Sequence, residues 1–133
     1  MNNHRRTLSL GLVLGIATAY TSFAVDLTKD SLATVKENVA AKKAVLVDVR
    51  EKSEWDNGHI RDAIFLPLSQ LRQGVTAEEL AKRLPKDRVL YTHCVLGKRS
   101  LTAANILAKH GYELRPLEPG YKELLEAGFE KAE

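Results

Sequence analysis

The apolar positions of this chain fall into two alternating periods. Ala44-Val45-Leu46-Val47-Asp48-Val49 is a continuous apolar run rich in β-branched residues. Such a run reads as a strand buried on both faces, as in a parallel sheet. Ala63-Ile64-Phe65-Leu66-Pro67, Arg88 to His93 and Tyr112 to Leu117 read as three further strands. Between them the period lengthens to that of a helix. Leu32, Val35 and Val39 share one face of a helix capped by Thr28 or Asp30 and running to about Lys42. Ser53 can cap a short helix through Asp56 that Asn57-Gly58 ends. Thr76-Ala77-Glu78-Glu79 has the form of a capping box, opening a helix that stops before Pro85. Leu101, Ala104, Ile106 and Leu107 mark a helix from Lys98 or Arg99 to His110, with Gly111 beyond its end, and Tyr121 to Ala127 is a last helix. Strands alternating with helices predict an α/β fold with a mostly parallel central sheet flanked by helices.

The first 24 residues stand outside this alternation. His4-Arg5-Arg6 is a short basic segment, Leu8 to Tyr20 is apolar, and Ser22-Phe23-Ala24 supplies small residues where a cut would fall. This predicts an export signal over 1–24, cleaved after Ala24, and a single domain over 25–133. The apolar run is short for a membrane-spanning helix. No cysteine lies near the cut, which argues against a lipoprotein. Arg5-Arg6-Thr7-Leu8 faintly matches a twin-arginine signal, so the export route stays open. The expected location is periplasmic or secreted.

Charge changes the picture little. The formal net charge is +3. Setting Arg5 and Arg6 aside leaves 18 cations against 17 acids, or +1. No basic run of five appears, and a nucleic-acid partner is not expected.

The chemistry concentrates in Cys94-Val95-Leu96-Gly97-Lys98-Arg99-Ser100, which holds the only cysteine of the chain. An exported chain with one cysteine has no internal disulfide partner for it. The periodicity puts this thiol on a strand-to-helix turn. Backbone N–H groups and two cations there stabilise a thiolate and any anion it attacks. Sites in such folds gather at the carboxyl ends of strands, where Asp48-Val49-Arg50 also falls. His93 precedes Cys94, but strand alternation aims the two side chains apart. No pair of histidines has metal-ligand spacing, and one cysteine does not make a zinc site. Neither a metal nor a cofactor is expected.

This ordered set of residues resembles the rhodanese family of sulfurtransferases, in its exported single-domain form. Cys94-x-x-Gly97-x-Arg99-Ser100 looks like that family's active-site loop. Asp48-Val49-Arg50-Glu51, Glu54-Trp55, Gly58-His59-Ile60 with Ala63, and Leu66-Pro67 look like its upstream signature. Two positions depart from the pattern. Asp62 stands where the family often has Gly, and Glu118-Pro119-Gly120 stands where a Gly-Gly pair is common.

The resemblance implies a Cys94 thiolate that takes the outer sulfur of a donor such as thiosulfate or a polysulfide. The persulfide then passes it to cyanide or a thiol. Val95, Leu96, Gly97, Lys98, Arg99 and Ser100 would form the substrate-binding loop, with Asp48 and Arg50 in support. Arg99 either faces the anion or turns inward to an acid such as Asp48 or Glu54. Ser100 either donates to the persulfide or is an ordinary first-turn serine. A persulfide carrier in a relay, with an exported thiol oxidoreductase as partner, is the milder alternative. A cysteine phosphatase or arsenate reductase stands further off, because its Cys-x5-Arg loop is one residue longer than the Cys94 to Arg99 spacing. A monomer is expected.

Overall fold

A computed structural model describes residues 24–133, together with Gly15. The export signal expected over 1–24 therefore lies, apart from Gly15 and Ala24, outside the described residues. Nine elements follow in order: α1 (Leu32–Ala40), β1 (Ala44–Asp48), α2 (Lys52–Asp56), β2 (Ile64–Phe65), α3 (Leu68–Gln73), α4 (Ala77–Ala81), β3 (Val89–His93), α5 (Lys98–Ala108) and α6 (Tyr121–Glu126). The strands form a parallel sheet in the order β2-β1-β3, with Asp48 opposite His93 at the carboxyl end.

β1 is the central strand, which is why its residues are apolar without alternation. Its two faces bury against different layers. Val47 and Val49 join Leu66, Leu68, Leu71, Leu80, Leu90 and Leu107 on one side. Leu46 joins Val35, Ile60, Tyr91, Leu117 and Leu124 on the other. Helices on both sheet faces are what a parallel sheet requires.

Several boundaries differ from the sequence expectations. Ser31, not Thr28 or Asp30, caps α1 by accepting the Thr34 N–H. Glu51, not Ser53, opens α2 in a capping box with Glu54. Glu51 also accepts the Ser69 hydroxyl at 2.6 Å, so one carboxylate ties the start of α2 to α3. The sequence predicts no element over 68–73, yet these residues form α3, with Leu68 and Leu71 buried. The strand expected over Tyr112 to Leu117 is an isolated parallel bridge, Leu90 to Leu114. It still exchanges backbone bonds with β3: Leu90 N–H to Glu113, Arg115 N–H to Leu90 and Leu117 N–H to Thr92. Pro116 has no N–H to continue a ladder. Asp62 has a φ of 63°. A glycine adopts that conformation without steric cost, which accounts for the Gly expected at this turn.

Candidate active site

Cys94 follows β3 directly, and Gly97 caps α5 in the left-handed region at φ 90°. A Cβ on Gly97 would also lie 3.0 Å from the Glu118 Cα. With that conformation the turn closes back on the sulfur, and the Gly97 N–H donates to Cys94 Sγ at 3.2 Å. The N–H groups of Lys98, Arg99 and Ser100 are the first three of α5, positions with no intrahelical partner. The turn is therefore a ready anion cradle.

Cys94 is 1% exposed and packs with the Val47–Val49 layer. It reaches the surface through an open cavity of about 250 Å³ lined by Cys94, Val95, Leu96, Lys98 and Arg99. A second cavity, about 300 Å³, is lined by Val95, Leu96, Glu118, Pro119 and Glu123. Leu96 at 79% and Val95 at 46% stand exposed on the rim that the two share.

Arg99 lines the thiol cavity and is held from α2. Its guanidinium makes a two-pronged bond to Glu54, at 2.5 and 2.9 Å. The two readings of Arg99 are thus not exclusive: it is braced by an acid and still borders the thiol. The acid is Glu54, not Asp48. The hydrogen bond from Arg99, assisted by the backbone N–H of Glu51, holds the Glu54 carboxyl down at about 2. Lys98 is exposed and, among the described residues, makes no ion pair. Ser100 is fully buried, and its hydroxyl lies 2.8 Å from the Gly97 carbonyl and 2.7 Å from that of Leu117. Its one proton faces those carbonyls. Ser100 therefore shapes the turn from below, and the donation to a persulfide held open from the sequence is not what this geometry offers.

Asp48 and Arg50 lie behind the turn, not in its cavity. Arg50 donates to both Asp48 carboxylate oxygens and to the Gly58 carbonyl at 2.8 Å, with both side chains buried. Its guanidinium also stacks over the Tyr121 ring at 4.3 Å. His93 shares this side, 3.9 Å from Asp48, and is fully buried. Burial pushes it down to about 4, against the pull of Asp48. It stays a neutral core residue at neutral pH. Cys94 and His93 face opposite sides of the sheet, as alternation requires.

Sequence reasoning missed Tyr121, and it marked Gly120 only as part of a departure from the family pattern. The Tyr121 N–H donates to the Cys94 carbonyl at 3.0 Å. A Cβ on Gly120 would lie 2.3 Å from the Val95 carbonyl oxygen and 2.6 Å from that of Cys94. The Glu118-Pro119-Gly120 departure therefore keeps glycine at the point of closest approach. Glu54 was visible as the acid three residues after Glu51, but nothing in the spacing named it over Asp48.

Fold and site together define an α/β domain that presents one cysteine, on a strand-to-helix turn, to an open cavity bordered by Lys98 and Arg99. Residues 31–127 match the sequence profile of the Rhodanese-like domain, and the chain belongs to that family. It is 31% identical over 105 residues to human thiosulfate:glutathione sulfurtransferase, covering 72% of this chain and 91% of that one. It is 39% identical over 82 residues to the uncharacterized protein YqhL of Bacillus subtilis, covering 61% of this chain. The solved structure of the human single-domain sulfurtransferase TSTD1 superposes with a TM-score of 0.62 and 31% identity, over 73% of this chain and 94% of that chain. The match spans 60% of YqhL. It spans only 18% of the probable adenylyltransferase/sulfurtransferase MoeZ of Mycobacterium tuberculosis, which is 40% identical over 73 residues.

Proposed function

We propose that this protein is a sulfurtransferase that carries sulfane sulfur on Cys94 as a persulfide. The single observation that carries the reading is the turn itself: a cysteine sulfur accepting the Gly97 N–H, inside a cavity whose charged walls are Lys98 and Arg99. An anionic donor such as thiosulfate meets the cations, and the Cys94 thiolate attacks its outer sulfur. The sulfur–sulfur bond of the donor breaks, sulfite leaves with the bonding pair, and Cys94 holds the persulfide. A thiolate or cyanide then attacks the outer sulfur and releases the Cys94 thiolate. No oxidant or reductant is needed. The first N–H groups of α5 supply fixed dipoles for the charge that develops on sulfur.

Cys94 to Arg99 is one residue tighter than a Cys-x5-Arg loop, which favours a single sulfur atom on Cys94 over a tetrahedral phosphate or arsenate as cargo. A small sulfur-containing anion is the proposed donor and a thiol or cyanide the acceptor. An exported thiol oxidoreductase is a fitting protein acceptor for a chain processed after Ala24. The export reading rests on the basic, apolar and small-residue order of 1–24.

Cys94→Ser tests the proposal by removing the only thiol. Thiosulfate:cyanide activity should vanish while the far-ultraviolet circular dichroism stays that of the wild type. Residual turnover by a pure, folded Cys94→Ser protein would contradict it. Multiple turnover by the wild type separates an enzyme from a carrier that loads once.

A further inference from the structure

Tyr121 joins three observations that the reaction above does not use. Its hydroxyl lies against Gly58, where an added Cβ would come within 2.6 Å of the Tyr121 hydroxyl oxygen. The buried Arg50 guanidinium, fixed by Asp48 and the Gly58 carbonyl, covers the ring at 4.3 Å. Its backbone N–H, at the first position of α6, donates to the Cys94 carbonyl at 3.0 Å. In a trans peptide the N–H points opposite to the C=O. Anchoring the Cys94 carbonyl on Tyr121 therefore turns the Val95 N–H away from α6, to the other side of the turn.

We propose that Tyr121 is a positioning residue, through which the buried Asp48–Arg50 pair fixes the peptide between Cys94 and Val95 and aims the N–H groups of the turn. The proposal rests on reading the Cys94 turn as an anion cradle. Its test does not require sulfur transfer. A cation attracts an aromatic face more strongly as the pair leaves water; here the guanidinium is buried and the ring half-buried. The ring is thus held from a rigid strand end, and its own N–H holds the loop.

The readout is the alkylation of Cys94 by anionic iodoacetate relative to neutral iodoacetamide, a ratio that reports how well the turn receives an anion. Tyr121→Phe keeps ring and N–H and should keep the wild-type ratio. Tyr121→Ala removes the ring and should lower the ratio about 3-fold. Tyr121→Pro also removes the N–H at a helix position that accepts proline, and should lower it about 10-fold. In a Tyr121→Ala background, Arg50→Met should have no further effect on the ratio, because its route to the turn is gone. A purely structural role predicts instead that both alkylation rates rise together as the melting temperature falls, with the ratio constant. A constant ratio in Tyr121→Ala overturns the proposal even should Tyr121→Pro not fold. If thiosulfate adds no sulfur to the wild type while the ratio still falls as described, the sulfurtransferase reading fails and the positioning role stands.

Discussion

His93 and Cys94 are neighbours in sequence and belong to opposite faces of one strand end. Alternation alone predicted this, so the Cys–His pair that the sequence superficially offers was separable without a structure. The environment of His93 was not: its burial beside Asp48 and Arg50 depends on how β1 and β3 register. That burial has a pH consequence. With its folded value near 4 against 6.5 when exposed, His93 binds fewer protons folded than unfolded between those limits. Its contribution is present above pH 6.5 and lost as pH falls toward 4, by up to about 3 kcal/mol. Urea unfolding from pH 7 to 4.5 should show this slope, and His93→Gln should flatten it. An equal slope in both proteins would place the proton elsewhere. Ser100 teaches the reverse lesson: a serine beside a cysteine motif suggests contact with sulfur, while the fold turns it under the loop to the Leu117 carbonyl.

At the scale of elements, the site is a joint between α2 and α5, closed by the segment before α6. Glu54 and Arg99 are 45 positions apart, and only the parallel order of β1 and β3 brings their helices together. The pair is one-third exposed, so its effect on stability is small, at most about 1 kcal/mol. Its effect on the cavity charge is the larger matter. Glu54→Gln should lower KM for thiosulfate by about 2- to 5-fold at low salt, since an acid near the donor is neutralised. The gain should shrink at physiological ionic strength, where the Debye length is about 8 Å. Arg99→Ala should raise KM more strongly. Steady-state kinetics at two salt concentrations checks both, and an unchanged KM in the two variants would remove Arg99 from donor binding. The same scale shows why α3 escaped sequence reading. Six residues with two buried leucines are too few for a period to register, although Pro67 and Gly74 bracket them.

At the scale of the whole molecule, the long apolar runs of β1 and β3 were legible because both faces of a central strand are buried. The segment 112–117 was less so, because an edge segment with Pro116 pairs by individual bonds rather than a ladder. The Cys94 turn was legible as a motif, whereas its rear support by Gly120 and Tyr121 arises from a contact across the domain. The proposed export also belongs to this scale. Among the described residues no helix is long and apolar enough to cross a membrane. The Val25 N–H donates to the Asn105 side chain at 2.8 Å, tying this end of the domain to α5. N-terminal sequencing of the native protein should begin near Val25, and an intact Met1 would contradict processing. The central claim is that Cys94 holds transferable sulfur, and intact mass spectrometry after exposure to thiosulfate tests it most directly. The wild type should gain the mass of one sulfur atom, lose it on adding cyanide, and Cys94→Ser should gain nothing. A wild type whose mass does not change, or a Cys94→Ser protein that gains the same sulfur, would contradict the account.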